Sequence, residues 1–226
     1  MASANSGSPD AGGLSLAHVD VQVFDLAFRL TTLKDRQQFA DPGGYFESLG
    51  ISPATWPLFG VTWSSGITLA ELMTTEPIEG LRILEVGCGL GLASLVLKRR
   101  GADITASDIH PMAGEFLSRN ARDNNIEPVR FLRLDWQRPP DDLPQYDLII
   151  GSDLLYEREQ PAMLAGFVPN HTNRMILTDP GRGQAARFSR AMEAAGFRAE
   201  SIQRGKERIV RYERSIRSHT GASDTT

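Results

Sequence analysis

Cysteine is nearly absent from this chain: Cys88 is the only one in 226 residues. An intramolecular disulfide is therefore excluded, and so is any zinc site built on cysteine clusters. Histidine is scarce too. His18, His110, His171 and His219 are scattered without metal-ligand spacing, so no metal site is expected. No run approaches the ~20 apolar residues of a membrane-spanning helix, and no membrane role is expected. Excess positive charge is also missing. A formal net charge of -4 and a pI near 5.6 give no global electrostatic reason to bind nucleic acid. The opening MASANSGSPDAGG has neither a basic region nor an apolar core, so it does not read as a secretory signal, and a cytoplasmic location is expected. Nucleophile elbows of the G-x-S-x-G type are lacking.

What is present is organised around Leu81 to Leu95, LRILEVGCGLGLASL. A short apolar run ends at Glu85-Val86, and glycines follow at positions 87, 89 and 91. Leu92, Leu95 and Val96 then share a helical face, Lys98 to Arg100 occupy the last turn and Gly101 stops it. This pattern predicts a buried parallel strand, a tight glycine turn and a helix, where backbone approaches a ligand that a Cβ would obstruct. The spacing is G-x-G-x-G, not the dinucleotide G-x-G-x-x-G. Glu85, two residues upstream, would repel a pyrophosphate but suits a ligand with a cationic amino group. S-adenosylmethionine is such a ligand.

The composition and length are those of one ordinary globular domain. Val19 to Thr32 alternates apolar residues and predicts a strand or hairpin outside the central sheet. Thr31 to Gly60 reads as an irregular, partly helical cap with Trp56 and Phe59 as buried anchors. A helix through Ile67, Ala70 and Met73 follows, with Ser64 or Ser65 as expected N-cap. Strands are expected at 103–107, 129–134, 147–151 and 175–178, and helices at 111–125, 160–168 and 184–195. A closing hairpin spans 197–203 and 208–214. Repeated βα units demand a parallel, two-sided sheet. The basic residues of the hairpin, Arg204, Lys206, Arg208, Arg211, Arg214 and Arg217, read as a solvated strand face relieved by Glu207 and Glu213.

In open α/β sheets, ligands bind beyond the carboxyl ends of the strands. The first central strand ends at Glu85, Gly87, Cys88, Gly89 and Gly91. The second ends at Asp108, whose carboxylate suits ribose hydroxyls in this fold and in dinucleotide folds alike. The third ends at Asp135-Trp136, an acceptor for an amino group and an indole to cover a purine. The fourth ends at Ser152-Asp153-Leu154-Leu155-Tyr156. A lone Asp at a strand end is more often a cap or turn residue than a ligand; four such ends in consecutive βα units make a cofactor site the better account.

The segments LFGVTWSSGITLAELM, ILEVGCGLGLASL, ASDIHP, FLRLDW and DLIIGSDLLYE, in this order and spacing, resemble methyltransferase family 16 of the class I (seven-β-strand) S-adenosylmethionine-dependent enzymes. The family includes many protein-lysine methyltransferases, and the likeness runs from about Phe59 to Arg214. It implies a Rossmann-like, doubly wound α/β sheet of seven mostly parallel strands with a C-terminal antiparallel hairpin. The domain would cover 16–217, divided into an N-terminal cap over 16–60 and a core over 61–217, with disordered tails at 1–15 and 218–226. By resemblance Trp63 contacts the cofactor, Trp136 packs on adenine, and Asp153 and Tyr156 form the D-x-x-Y signature on the acceptor side. Ser152 stands where the family commonly has alanine. TDPGR at 178–182 resembles chiefly bacterial members, and the cap before Phe59 matches no known substrate-binding element.

The implied reaction is attack of a neutral amine on a sulfonium methyl, with Asp153 holding the incoming ammonium and Tyr156 walling the pocket. A protein lysine is the leading acceptor; a small-molecule amine or another protein nitrogen is the alternative. An inactive cofactor-binding interaction protein is the rival of another class, against which Glu85, Asp108, Asp135 and the Asp153/Tyr156 pair all argue. An NAD-dependent oxidoreductase is disfavoured by the glycine spacing and Glu85.

Overall fold

A computed structural model describes residues 13–181 and 183–215. The expected tails lie outside these residues up to 12 and from 218. The chain opens with strands β1 (Leu16–Val23) and β2 (Leu26–Leu33), which pair antiparallel as a separate two-stranded sheet. The cap follows: a short helix α1 (Tyr45–Ser48) and a 3₁₀ turn over Trp56–Gly60. Trp56 and Phe59 are both buried, as the sequence predicts.

Helix α2 (Ser64–Met73) leads into the alternating core, β3 (Arg82–Val86), α3 (Leu92–Arg99), β4 (Asp103–Asp108), α4 (Ala113–Asp123) and β5 (Arg130–Arg133). Then come β6 (Leu148–Ser152), α5 (Gln160–His171), β7 (Arg174–Asp179), α6 (Ala185–Ala194), β8 (Arg198–Arg204) and β9 (Glu207–Glu213). The seven-stranded sheet runs β5-β4-β3-β6-β7-β9-β8. Pairings among β3 to β7 are parallel, and β9 is antiparallel to both its neighbours. Strand order reverses between β3 and β6, the place where such sheets open a crevice for ligands. Among the described residues no helix is long and apolar enough to cross a membrane, and no group of three or more His, Cys, Asp or Glu could hold a metal.

Strand alternation divides the core. Ile83 and Ile150 face one side, with Leu69, Val96 and Phe116 of α2, α3 and α4. Leu84, Val86 and Ile149 face the other, with Phe167 of α5 and Phe188 of α6. The front hairpin is pinned to α4 by two asparagines one helical turn apart. Asn120 accepts the Thr31 N–H at 2.7 Å and donates to the Leu90 carbonyl at 3.1 Å. Asn124 accepts from Arg29 N–H and donates to the Arg29 carbonyl, both at 2.8 Å. These side chains occupy backbone groups of an edge strand and tie it to the glycine loop.

Two expectations need correction. Neither Ser64 nor Ser65 caps α2. Trp63 occupies the N-cap position without a side-chain cap bond, and both serine hydroxyls donate to Glu207 instead. Nor is the closing hairpin uniformly solvated. Arg211 forms a two-pronged pair with Glu76 beyond the end of α2, at 2.7 and 2.6 Å. The Glu76 hydrogen bonds outweigh the desolvation of the guanidinium and hold Arg211 above its usual range. Glu76 is 5% exposed. Glu76→Ala is expected to destabilise the fold by about 2 kcal/mol, with Arg211 left partly buried and unpaired. Urea denaturation with an unchanged m-value checks this.

Candidate active site

The carboxyl ends of β3, β4, β5 and β6 open into a cavity of about 590 Å³. All the residues singled out by the strand-end reading except the core residue Leu155, and Trp63 as well, line it. The glycine turn shapes its floor. Gly87, Gly89 and Gly91 all have left-handed backbone, with φ of 63, 51 and 77°. At Gly89 the need is steric as well, because a Cβ there would stand 3.1 Å from the Phe59 carbonyl oxygen of the cap. Gly91 takes the N-cap position of α3. Cys88 between them is buried, its N–H donating to the Ser107 carbonyl at 2.9 Å. Desolvation pushes its thiol up, reinforced by Asp108 and Glu85, so it is inert at neutral pH.

Three carboxylates line the cavity, each engaged by nearby donors. Glu85 Oε2 accepts the Ser94 N–H at 2.9 Å and the Ser94 hydroxyl, capping α3 from the strand below. Burial pushes its carboxyl up to about 7, against the lowering effect of the Ser94 donors. Asp108 accepts the Gly89 N–H and the His110 N–H, both at 2.9 Å, and burial raises its carboxyl too. Asp135 closes the turn after β5, accepting from the Gln137 N–H at 2.9 Å and pairing with Arg138 at 3.0 Å. Each carboxylate retains lone pairs beyond these contacts, so organising the loop and accepting from a ligand are compatible. Trp136 packs partly buried against the α5–α6 side of the core, and the Trp63 indole N–H donates to the Leu58 carbonyl at 2.9 Å.

On the other side of the cavity Ser152 ends β6 and Asp153 follows in left-handed backbone, φ 52°. That conformation is unusual for a residue with a Cβ and marks a position held under strain. The Asp153 N–H donates to the Thr178 carbonyl at 2.9 Å, and buried Leu154 and Leu155 anchor the turn. Tyr156 is 40% exposed, and its backbone N–H donates to Gln160 Oε1 at 2.9 Å. Desolvation raises the phenol, which stays protonated at neutral pH.

Two participants escaped the sequence reading. His110, 3% exposed, also lines the cavity and is stacked on Phe59 at 3.9 Å and on Phe46 at 5.4 Å. Burial holds its imidazole down to about 3, so it is a neutral, aromatic clasp between cap and core. Glu207, read as solvated, is buried and bonded to α2. No local signal marks either one, because their partners lie about 50 and 140 residues away in the chain.

Residues 58–175, just over half of the chain, match the sequence profile of a family described as lysine methyltransferase, Methyltransf_16. The chain belongs to that lysine methyltransferase family. Family relatives include electron transfer flavoprotein beta subunit lysine methyltransferase of Xenopus laevis, 30% identical over 146 residues, covering 58% of this chain and 57% of the relative. Another is protein N-lysine methyltransferase METTL21A of Xenopus tropicalis, 31% identical over 132 residues, covering 54% and 61%. The chain thus spans about three-fifths of the length of the curated relatives it matches. Among solved structures, magnesium protoporphyrin IX methyltransferase from Synechocystis PCC 6803 with bound S-adenosylmethionine aligns with TM-score 0.54 and 23% identity, over 67% of this chain and 78% of that one. The Thermus thermophilus 16S rRNA N2 G1207 methyltransferase aligns with TM-score 0.63 and 13% identity, over 92% and 52%. At these identities the likeness is one of fold.

Family membership makes S-adenosylmethionine the cofactor, and the site fits it. A glycine cradle that a Cβ would close, two aromatic walls and carboxylates on successive strand ends suit a cationic, phosphate-free nucleoside.

Proposed function

We propose that this protein is an S-adenosylmethionine-dependent N-methyltransferase acting on a lysine side chain of a protein, in the cytoplasm. The observation that carries the reading is the strained Asp153, set beside Tyr156 at the mouth of the cofactor cavity. Family membership and the names of the relatives support a protein lysine as acceptor. A groove of about 570 Å³ adjoins the Trp136 side of the cavity, sharing Trp136, Glu159 and Met163 with it.

In this reading Glu85 takes the amino group of the cofactor, Asp108 the ribose, and Asp135 with Trp136 the adenine. The glycines let backbone close on the amino-acid end, and Trp63 walls it. The bound cofactor supplies a methyl group on a sulfonium. The chain's own residues orient the acceptor and strip it of water, which supplies most of the rate in an in-line transfer. A lysine enters as an ammonium, its pKa near 10.4. Asp153 holds it and orients the nitrogen as it gives its proton to solvent at the mouth, beside the 40% exposed Tyr156, whose protonated phenol forms the opposing wall.

S-adenosylhomocysteine at about 100 times its Kd is expected to raise the melting temperature by roughly 5–10 °C, and NAD to leave it unchanged. Silence with both ligands would sink the cofactor assignment. The acceptor is tested by incubating a cell extract with the protein and tritiated-methyl S-adenosylmethionine. Label is expected in protein, and in methyl-lysine after acid hydrolysis. Label confined to small molecules overturns the lysine reading while leaving the methyl donor intact.

A further inference from the structure

We propose that Glu207 is a positioning residue for cofactor binding, acting through the first turn of α2. It lies outside the family-matched residues 58–175, on the first residue of β9. Glu207 is 6% exposed, yet among the described residues no arginine or lysine forms an ion pair with it. A buried carboxylate without a cation persists only where donors replace the lost water. Here they all come from one turn of one helix. Ser64 Oγ donates to Oε1 at 2.6 Å, Ser65 Oγ donates to Oε2, and the positive N-terminal end of the ten-residue α2 lies alongside.

That same turn is fixed from a further direction. Thr178 of β7 donates its hydroxyl to the Ser65 carbonyl at 2.8 Å. Gly66 of the same turn faces the end of β6, where an added Cβ would make ordinary contact with Ser152 Oγ at 3.5 Å. The turn is a wall of the cavity, since Thr62, Trp63, Gly66 and Ile67 all line it. Trp63 is the N-cap of α2 in extended backbone, φ -117°, so the place where the helix starts sets the place of the indole. A carboxylate from the far end of the chain therefore determines how closely this wall approaches the glycine turn. The inference rests on that wall meeting the cofactor.

The test is titration calorimetry of S-adenosylhomocysteine binding to wild type, Glu207→Ala, Glu207→Gln and the Ser64→Ala/Ser65→Ala double variant, with ligand-free melting measured alongside. Glu207→Ala is expected to weaken binding at least tenfold, whereas Glu207→Gln, which keeps an acceptor for one serine, stays within threefold. Combining Glu207→Ala with the two serine changes is expected to add nothing further, because both remove the same contact. A folded Glu207→Ala protein with unchanged affinity overturns the proposal, as do losses that simply add. If Glu207→Ala does not fold, Ser64→Ala alone decides: Ser64 is exposed, and an unchanged affinity there overturns the proposal equally. Wild-type protein that binds no S-adenosylhomocysteine overturns it too, and is told apart because the cofactor assignment then fails with it.

Discussion

Asp153→Asn is expected to lower methyl transfer at saturating cofactor by about a thousandfold, in line with losing a positioned group that handles a proton. S-adenosylhomocysteine affinity is expected to stay within about twofold. Asparagine is the informative replacement because of the backbone. At φ 52° an alanine would add roughly 1 kcal/mol of left-handed strain and mix a folding defect into the kinetics. Asparagine tolerates that region nearly as well as aspartate, so the change removes the charge and little else. The surrounding turn has no freedom to compensate. Leu154 and Leu155 are buried on one side and the Asp153 N–H is tied to Thr178 on the other. Single-turnover kinetics on the labelled acceptor, with calorimetry on the same preparation, separate the two effects. Undiminished turnover would remove Asp153 from the chemistry and leave its strained backbone to be explained by the turn alone.

Sequence periodicity carried the central architecture because each βα unit announces itself. An apolar run such as Leu148–Ser152 is too short for a helix and is bounded by turn residues, and amphipathic stretches such as Ala113–Asp123 follow. What periodicity does not carry is what covers a face. In β9 the apolar residues Ile209, Val210 and Tyr212 are buried on the two faces of the strand, but their pattern says nothing about α2 lying near that strand. Glu207 meets the beginning of that helix and Arg211 meets Glu76 just past its end, so two residues that look solvated are bound. The front hairpin shows the same limit. Its alternation is visible, whereas its docking depends on Asn120 and Asn124, polar residues on a helix whose apolar face alone was informative.

The site was legible for a different reason: in a parallel sheet the strand ends converge, so residues far apart in sequence share one cavity by topology. Their present hydrogen bonds were not legible. Asp108 and Asp135 hold backbone N–H groups two residues onward, at His110 and Gln137. This is a local habit of aspartate in turns, here coexisting with a place in the cavity wall. His110 was overlooked because a solitary histidine has no distinguishing pattern. Its significance comes from Phe46 and Phe59, which the irregular cap delivers to both sides of its ring.

Glu85 is where the fold and the ligand make opposite demands. Folding raises its carboxyl to about 7 from the usual value near 4.3 in an unfolded chain. Between those values the native state holds a proton that the unfolded state has lost. The stability this provides is present at low pH and lost as pH rises towards 7. Above 7 the protein carries a buried carboxylate, at a cost of about 3 kcal/mol relative to an uncharged group of the same shape. Glu85→Gln keeps an acceptor for Ser94, so the ligand-free variant is expected to be more stable than wild type by up to about 3 kcal/mol at pH 8. The difference should shrink to about 1 kcal/mol by pH 5 and vanish below about pH 4. His110, held down to about 3, has the opposite pH dependence, but it is common to both proteins and cancels in the comparison. Binding reverses the preference, because a cationic amino group favours the ionised carboxylate. Wild-type affinity for S-adenosylhomocysteine should fall about tenfold from pH 8 to pH 6, whereas the variant should bind weakly and with no such dependence. A variant no more stable at pH 8 would show that Ser94 fully offsets the burial. A pH dependence surviving in the variant would assign the titration to Asp108. The expected result, a more stable protein that binds its cofactor less well, would mean that Glu85 is kept for the ligand and merely tolerated by the helix it caps.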